Sequence, residues 1–76
     1  FIRIFSNSVV SIASTSNLII IKTISGTGNA AAEAIDSMRW NEVAGTLAGD
    51  NTIFVAIKDM KSVPELVKRF NAMLKQ

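Results

Sequence analysis

The chain has 76 residues, eight of them basic and six acidic, for a net charge of +2, and contains no cysteine and no histidine. That length suits one small domain spanning residues 1–76. The missing residue types exclude a Ser-His-Asp triad, a thiol nucleophile, a disulfide and a conventional zinc site; Asp and Glu could still do acid–base work, so enzymes are disfavoured rather than excluded.

Residues 2–13 are rich in Ile, Val, Phe and Ser, and Val9 to Ala13 reads as a strand. Ser14-Thr15-Ser16-Asn17 is a turn cluster. Leu18 to Thr23 follows as a second strand, close enough to the first to form a hairpin. Ser25-Gly26-Thr27-Gly28-Asn29 is a loop. From about Ala30 the chain turns helical, with Ala31, Ala34, Ile35 and Met38 on one face at i, i+3, i+4, i+7. Asn29, Glu33 and Asp36 form a polar stripe beside it, and Arg39 to Glu42 closes the helix or adds a short turn. Val43 to Ala48 is a third strand, Gly49-Asp50-Asn51 a turn, and Thr52 to Ile57 a fourth strand that pairs back. Ser62-Val63-Pro64-Glu65 fits a capping box. Val63, Leu66, Val67, Phe70, Met73 and Leu74 then recur at helical spacing.

The expected order is ββαββα. The expected fold class is α+β, a four-stranded, mainly antiparallel sheet with two helices on one face. A sheet with one face in water alternates apolar and polar residues. This one does not: Leu18 and Ile20 oppose Ile19 and Ile21, and Ile53, Val55 and Ile57 oppose Phe54 and Ala56. Two helices cover one face, so the other is expected to be buried in an oligomer. Size points the same way. Surface scaling gives a folded area of about 4,500 Å² against roughly 11,900 Å² unfolded. Burial of order 110 kcal/mol then faces about 114 kcal/mol of ordering cost. Yet 49% of the residues are hydrophobic and the mean hydropathy is +0.34, high for so little interior.

The longest aliphatic run, Leu18 to Ile21, is far short of the ~20 residues a membrane span needs. No signal peptide is visible, and a cytoplasmic location is expected from cysteine usage. The chain opens on Phe1 rather than Met, so a longer parent protein is expected.

The sharpest chemical feature is Gly45-Thr46-Leu47-Ala48-Gly49-Asp50-Asn51-Thr52. By composition it is first an ordinary turn in which Asp50 caps its own backbone. A carboxylate fixed among small residues is also placed to take a cation, above all a planar guanidinium. The Asn29, Glu33, Asp36 stripe reads as a solvated helix face. Ser25-Gly26-Thr27-Gly28 before a helix has the look of a phosphate cradle, but it lacks both the full G-x-G-x-x-G and the G-K-[ST] ending. Trp40 reads as a core or interface anchor. Lys68, Arg69 and Lys75 read as a solubilising outer face of the last helix.

Together these segments resemble the C-terminal domain of bacterial arginine repressors. The likeness is carried by Asn17 to Thr23, by Ile35 to Trp40, and above all by Gly45 to Phe54, where the family hallmark is G-T-[IL]-x-G-D-D-T-I. It runs from about Ser8 to the C-terminus. The resemblance implies a homotrimer that stacks into a hexamer, a dimer of trimers, with L-arginine as effector between the trimers. It implies no cofactor, metal or catalytic residue, no membrane partner, and operator DNA bound only through a separate N-terminal winged helix-turn-helix. Asp50 falls on the family's principal arginine-contacting aspartate. Thr46 and Ala48 fall on the same pocket, and Asp36 on a helix carboxylate that holds the ligand's polar end. Asn29 stands where the family usually has glutamine, and Asn51 where it usually has a second aspartate. Losing a carboxylate that touches the ligand removes about 1.5–3 kcal/mol of charge-assisted bonding.

Three readings compete. The first is an arginine-sensing oligomerisation module of a transcriptional repressor of arginine metabolism. The second is a constitutive oligomerisation domain of a paralogue with weakened or lost arginine binding, motivated by Asn51 and Asn29. The third is a small enzyme using Asp36 or Asp50, for which no second, differently tuned catalytic group is present.

Overall fold

A computed structural model describes residues 2–75. The elements in order are α1 (Ile2–Ser8), β1 (Val9–Thr15), β2 (Leu18–Thr23), α2 (Gly28–Met38), β3 (Val43–Ala48), β4 (Thr52–Ile57), a 3₁₀ turn (Met60–Ser62) and α3 (Val63–Leu74). The strands form one antiparallel sheet in the order β1-β2-β4-β3, so the two hairpins join through β2 and β4. The expected α+β class and four-stranded sheet are observed. The accessible area is 4596 Å², close to the figure that chain length alone sets.

The order ββαββα omits one element, α1. Ile, Val and Phe near the N-terminus carry strand propensity, and seven residues are too few for a helix to stand alone. Packing decides here. Phe5 is fully buried, and its ring stacks on Phe70 of α3 with centroids 5.3 Å apart. Ser8 Oγ donates to the Ile4 carbonyl at 2.8 Å, which ties the last turn. Helix α1 packs with α2 and α3 on the same side of the sheet, so three helices, not two, cover that face.

The core lies between this helical layer and one face of the sheet. Ile19, Ile21, Ile53, Val55 and Ile57 meet Ile35, Leu66, Phe70 and Phe5 there, all essentially without solvent contact. Register explains the alternation: Ile19 faces Val55 and Ile21 faces Ile53, while Ile20 faces Phe54 and Leu18 faces Ala56. The second set points away from the helices. Phe54 is 45% exposed there and Leu47, its partner on β3, is 75% exposed. Leu18, Ile20 and Ala56 complete an apolar face that no element of the described chain covers. Both edge strands carry irregularities, between Val9 and Ser11 in β1 and between Val43 and Gly45 in β3. Such bulges interrupt an edge that would otherwise template further pairing.

Two expectations about α3 need correction. The capping box at Ser62 does not form: Ser62 is helical, its side chain makes no cap bond, and it closes the preceding 3₁₀ turn. Asp59 caps that turn instead, accepting from the Lys61 N–H at 2.9 Å. Arg69 is not a free solubilising charge. It donates to both carboxylate oxygens of Glu42, at 3.1 and 2.7 Å, and to Glu65 at 3.3 Å. Its guanidinium also sits over the Trp40 ring, 5.3 Å from the centroid. Trp40 is half-buried and lies 5.1 Å from Phe70, so it is the core anchor that the sequence suggests.

Arg69 beside Glu42 holds that carboxyl below the usual glutamate value of 4.5, chiefly through the hydrogen bonds it donates. A carboxyl depressed in the folded state adds stability above its unfolded value, and that stability is lost as pH falls through the folded value. Glu42→Gln is therefore expected to lower the denaturation midpoint at neutral pH. The gap from the native chain is expected to narrow as pH falls below 4.5 and to close at a pH below the folded value, where both side chains are neutral. Urea titrations at neutral pH and in acid check this. A gap that persists unchanged in acid excludes an ionic role for Glu42.

Candidate functional site

The tip of the β3–β4 hairpin is locked to the start of α2 by backbone. The Asp50 carbonyl oxygen accepts from the N–H of Gly26 at 3.1 Å and of Gly28 at 3.0 Å. Thr27, before the helix, offers no side-chain cap, because its hydroxyl donates to the Ile24 carbonyl at 2.6 Å. The hairpin thus satisfies the Gly28 N–H, one of the orphan donors at the helix start. Gly26 turns the loop with a positive φ of 85°. Gly28 is buried, and any Cβ there would overlap the Gly49 carbonyl oxygen. The close approach read from the small residues is thus real, but it serves the chain's own backbone. It also disposes of the phosphate-cradle resemblance, since two of the loop's amides are already committed to Asp50.

The Asp50 side chain is exposed, and its Oδ2 accepts from Ser25 Oγ at 2.8 Å. It does not cap its own turn. Asn51 is exposed beside it. The Asn51 carbonyl accepts from the Thr23 N–H at 2.8 Å, and its Oδ1 accepts from Thr52 Oγ1 at 3.1 Å. Asn29, second residue of α2, is exposed at this same end.

Farther along β3, Thr46 Oγ1 donates to Asp36 Oδ1 at 2.9 Å. These residues sit on different elements and come together because α2 runs antiparallel to β3. From Gly28 to Asp36 the helix advances about 12 Å, and from Asp50 back to Thr46 the chain covers about 13 Å. The two paths match, so one seam carries Asp50, Asn51 and Asn29 at the tip and Asp36 and Thr46 at the other end. Ala48 lies between, half-buried against the core. All six residues singled out from the sequence therefore lie along one seam. Ser25, which orders Asp50, and the pair Lys22 and Thr52, which orders Asn51, were not legible as a unit, since they converge from three strands and loops.

A pocket of about 120 Å³ opens at the Asp36 end, lined by Ile35, Asp36, Arg39, Trp40, Val43, Ala44 and Gly45. That is below the ~300 Å³ at which small-molecule sites begin. Arg39 closes α2 in a left-handed conformation, φ 54°, with its N–H on the Asp36 carbonyl at 3.3 Å. Among the described residues no cluster of three or more Asp or Glu side chains could hold a metal ion. No helix among them is long and apolar enough to cross a membrane.

Residues 5–72 match the family model described as arginine repressor, C-terminal domain. The chain belongs to this family. Curated relatives agree. The arginine repressor of Clostridium tetani is 49% identical over 74 residues, covering 97% of this chain and 48% of the relative. That of Alkaliphilus oremlandii is 51% identical over 74 residues, 97% of this chain and 50% of the relative. That of a Thermoanaerobacter strain is 49% identical over 72 residues, 95% of this chain and 48% of the relative. The chain thus spans about half the length of the relatives it matches. Those relatives are named as repressors, not as enzymes.

Gly28 is the position on which this repressor domain's seam depends most sharply. Gly28→Ala is expected to separate α2 from the hairpin tip and to destabilise the domain by more than the ~1 kcal/mol that an unstrained helix-forming substitution would gain. Gly49→Ala serves as control, because a Cβ there meets open space. Equal denaturation midpoints for the two variants would remove the steric lock.

Proposed function

We propose that this domain binds L-arginine along the α2–β3 seam and assembles through its open sheet face. The observation that carries the reading is Asp50. Its carboxylate is held at the tip by Ser25 and the backbone lock, with its second oxygen turned to solvent and no partner among the described residues. A fixed, half-satisfied carboxylate suits a guanidinium, which pairs with it by charge-assisted bonds. The Asp36–Thr46 pair offers a second polar anchor for the far end of the same ligand. Neither end is enclosed within one chain, which favours completion of the site by a second copy.

The open face of Leu18, Ile20, Leu47, Phe54 and Ala56 supplies the contact. Trimers built on it, stacked in pairs into a hexamer, would put the tips of facing subunits together around the ligand. The effector would then favour the hexamer by binding that assembly more tightly than the trimer. In the longer protein this assembly serves a cytoplasmic repressor of arginine metabolism genes. Operator DNA is contacted by a winged helix-turn-helix outside this chain. A second reading, a constitutive oligomerisation domain with little arginine affinity, draws on Asn51 standing where a second carboxylate is usual.

Calorimetric titration of L-arginine, with mass followed in solution, separates the two. Native chain is expected to bind and to shift toward the larger assembly. Asp50→Asn is expected to weaken binding by about 10- to 150-fold, the equivalent of 1.5–3 kcal/mol. Equal affinity in the folded variant would remove Asp50 from the site. Phe54→Lys tests the face: its side chain is exposed in the single chain, so secondary structure is expected to persist while sedimentation shifts to monomer. An unchanged mass would place the contact elsewhere.

A further inference from the structure

The tip holds a hydrogen-bond chain whose direction follows from donor chemistry. Lys22 Nζ lies 3.1 Å from Thr52 Oγ1, its direct cross-strand neighbour, and Thr52 Oγ1 lies 3.1 Å from Asn51 Oδ1. An ammonium group donates and never accepts. The Thr52 oxygen therefore accepts from Lys22, and its one O–H proton goes to Asn51. Asn51 must present Oδ1 to that proton. Its Nδ2 is left as a donor with no partner among the described residues. Beside it, Asp50 has one carboxylate oxygen taken by Ser25 and one open. Adjacent residues thus offer one charged acceptor and one neutral donor.

We infer that the Lys22–Thr52–Asn51 chain makes residue 51 a specificity determinant. It turns that position into a donor, so the tip takes an amino acid ending in a ureido group about as well as one ending in a guanidinium. This rests on the ligand-binding reading of the tip given above. A guanidinium carries five N–H donors and no acceptor. It satisfies Asp50 but meets Asn51 donor to donor. A ureido end keeps an N–H for Asp50 and brings a carbonyl that accepts from Asn51 Nδ2. The Lys22 charge at the far end of the chain also opposes a second cation nearby. Against this, the neutral ligand forgoes the stronger charge-assisted bond to Asp50. The balance is near parity rather than reversal. Thr52 and Lys22 are positioning residues here, acting through the amide they orient.

The test is calorimetric titration of L-arginine and of its ureido counterpart, L-citrulline, into the native chain and two variants. In the native chain the two Kd values are expected within about tenfold of each other. Asn51→Asp replaces the donor by a charged acceptor and is expected to widen the ratio toward arginine by about tenfold or more. Thr52→Val cuts the chain and frees the amide to turn its oxygen outward, so the ratio is expected to move the same way by a smaller factor. A native ratio beyond tenfold toward arginine, or a folded Thr52→Val that leaves the ratio unchanged, overturns the inference while arginine binding itself stands. Heat from neither ligand, in native chain and folded Asn51→Asp alike, overturns both the inference and the arginine reading beneath it.

Discussion

The Asp50 carbonyl oxygen accepts N–H groups from both Gly26 and Gly28, and the geometry of the seam follows from that pair of bonds. They seat the first turn of α2 on the hairpin tip at a distance only a glycine at position 28 tolerates. With the helix start fixed there, its axis runs back along β3, and Asp36 arrives at Thr46. With the Asp50 carbonyl turned into the loop, its side chain faces out, where Ser25 steadies one oxygen. Two carboxylates on separate elements are therefore oriented by one backbone contact. Because the peptide groups of a turn and a helix start supply that contact, it does not depend on the charge state of any side chain.

A second constraint is the shortage of covering material. A sheet of four strands has two faces, and the helices, including the short α1, sit on one. The register leaves Leu18, Ile20, Leu47, Phe54 and Ala56 on the other. The proposed contact rests on this face, since contiguous apolar surface is characteristic of interaction sites. Lys22 and Thr52 border it on the side of the tip, so the apolar face and the polar seam are adjacent. A contact made through one would bring its partner near the other.

How much of this was legible depended on whether the signal was periodic. Helix α3 repeats apolar residues at period 3.6, and the strands stand out as short apolar, β-branched runs between turns. With apolar residues on both faces, the strands did not say which face the helices cover. Helix α1 was not legible, because its Ile and Phe residues favour extended structure until Phe5 meets Phe70. The Ser62–Glu65 box has the right letters, but Asp59 captures the local turn first and Glu65 is drawn to Arg69. At the seam, Asp50 stood out because small residues flank it. Its contact with Ser25, 25 residues away, and that of Asp36 with Thr46 on another element leave no trace in spacing. Arg69 looked like surface charge for the same reason: Glu42 lies 27 positions away.

The far end of the seam is held by that ion pair. Arg69 joins α3 to the α2–β3 connection by gripping Glu42 while covering Trp40, whose ring reaches Phe70 in the core. The connection itself is tight, with Arg39 left-handed and the Val43 N–H on the Trp40 carbonyl at 3.1 Å. Where β3 begins is thereby set from α3, and where it ends is set by the lock at Asp50. Thr46 lies between two fixed points, so its approach to Asp36 cannot drift without loosening one of them. Asn29 and Asn51 are both at the tip and both exposed, while the residues forming the lock and the Arg69–Glu42 pair are packed or paired. Substitution at those two positions is therefore expected to alter the side chains exposed at the tip without altering the frame that holds them.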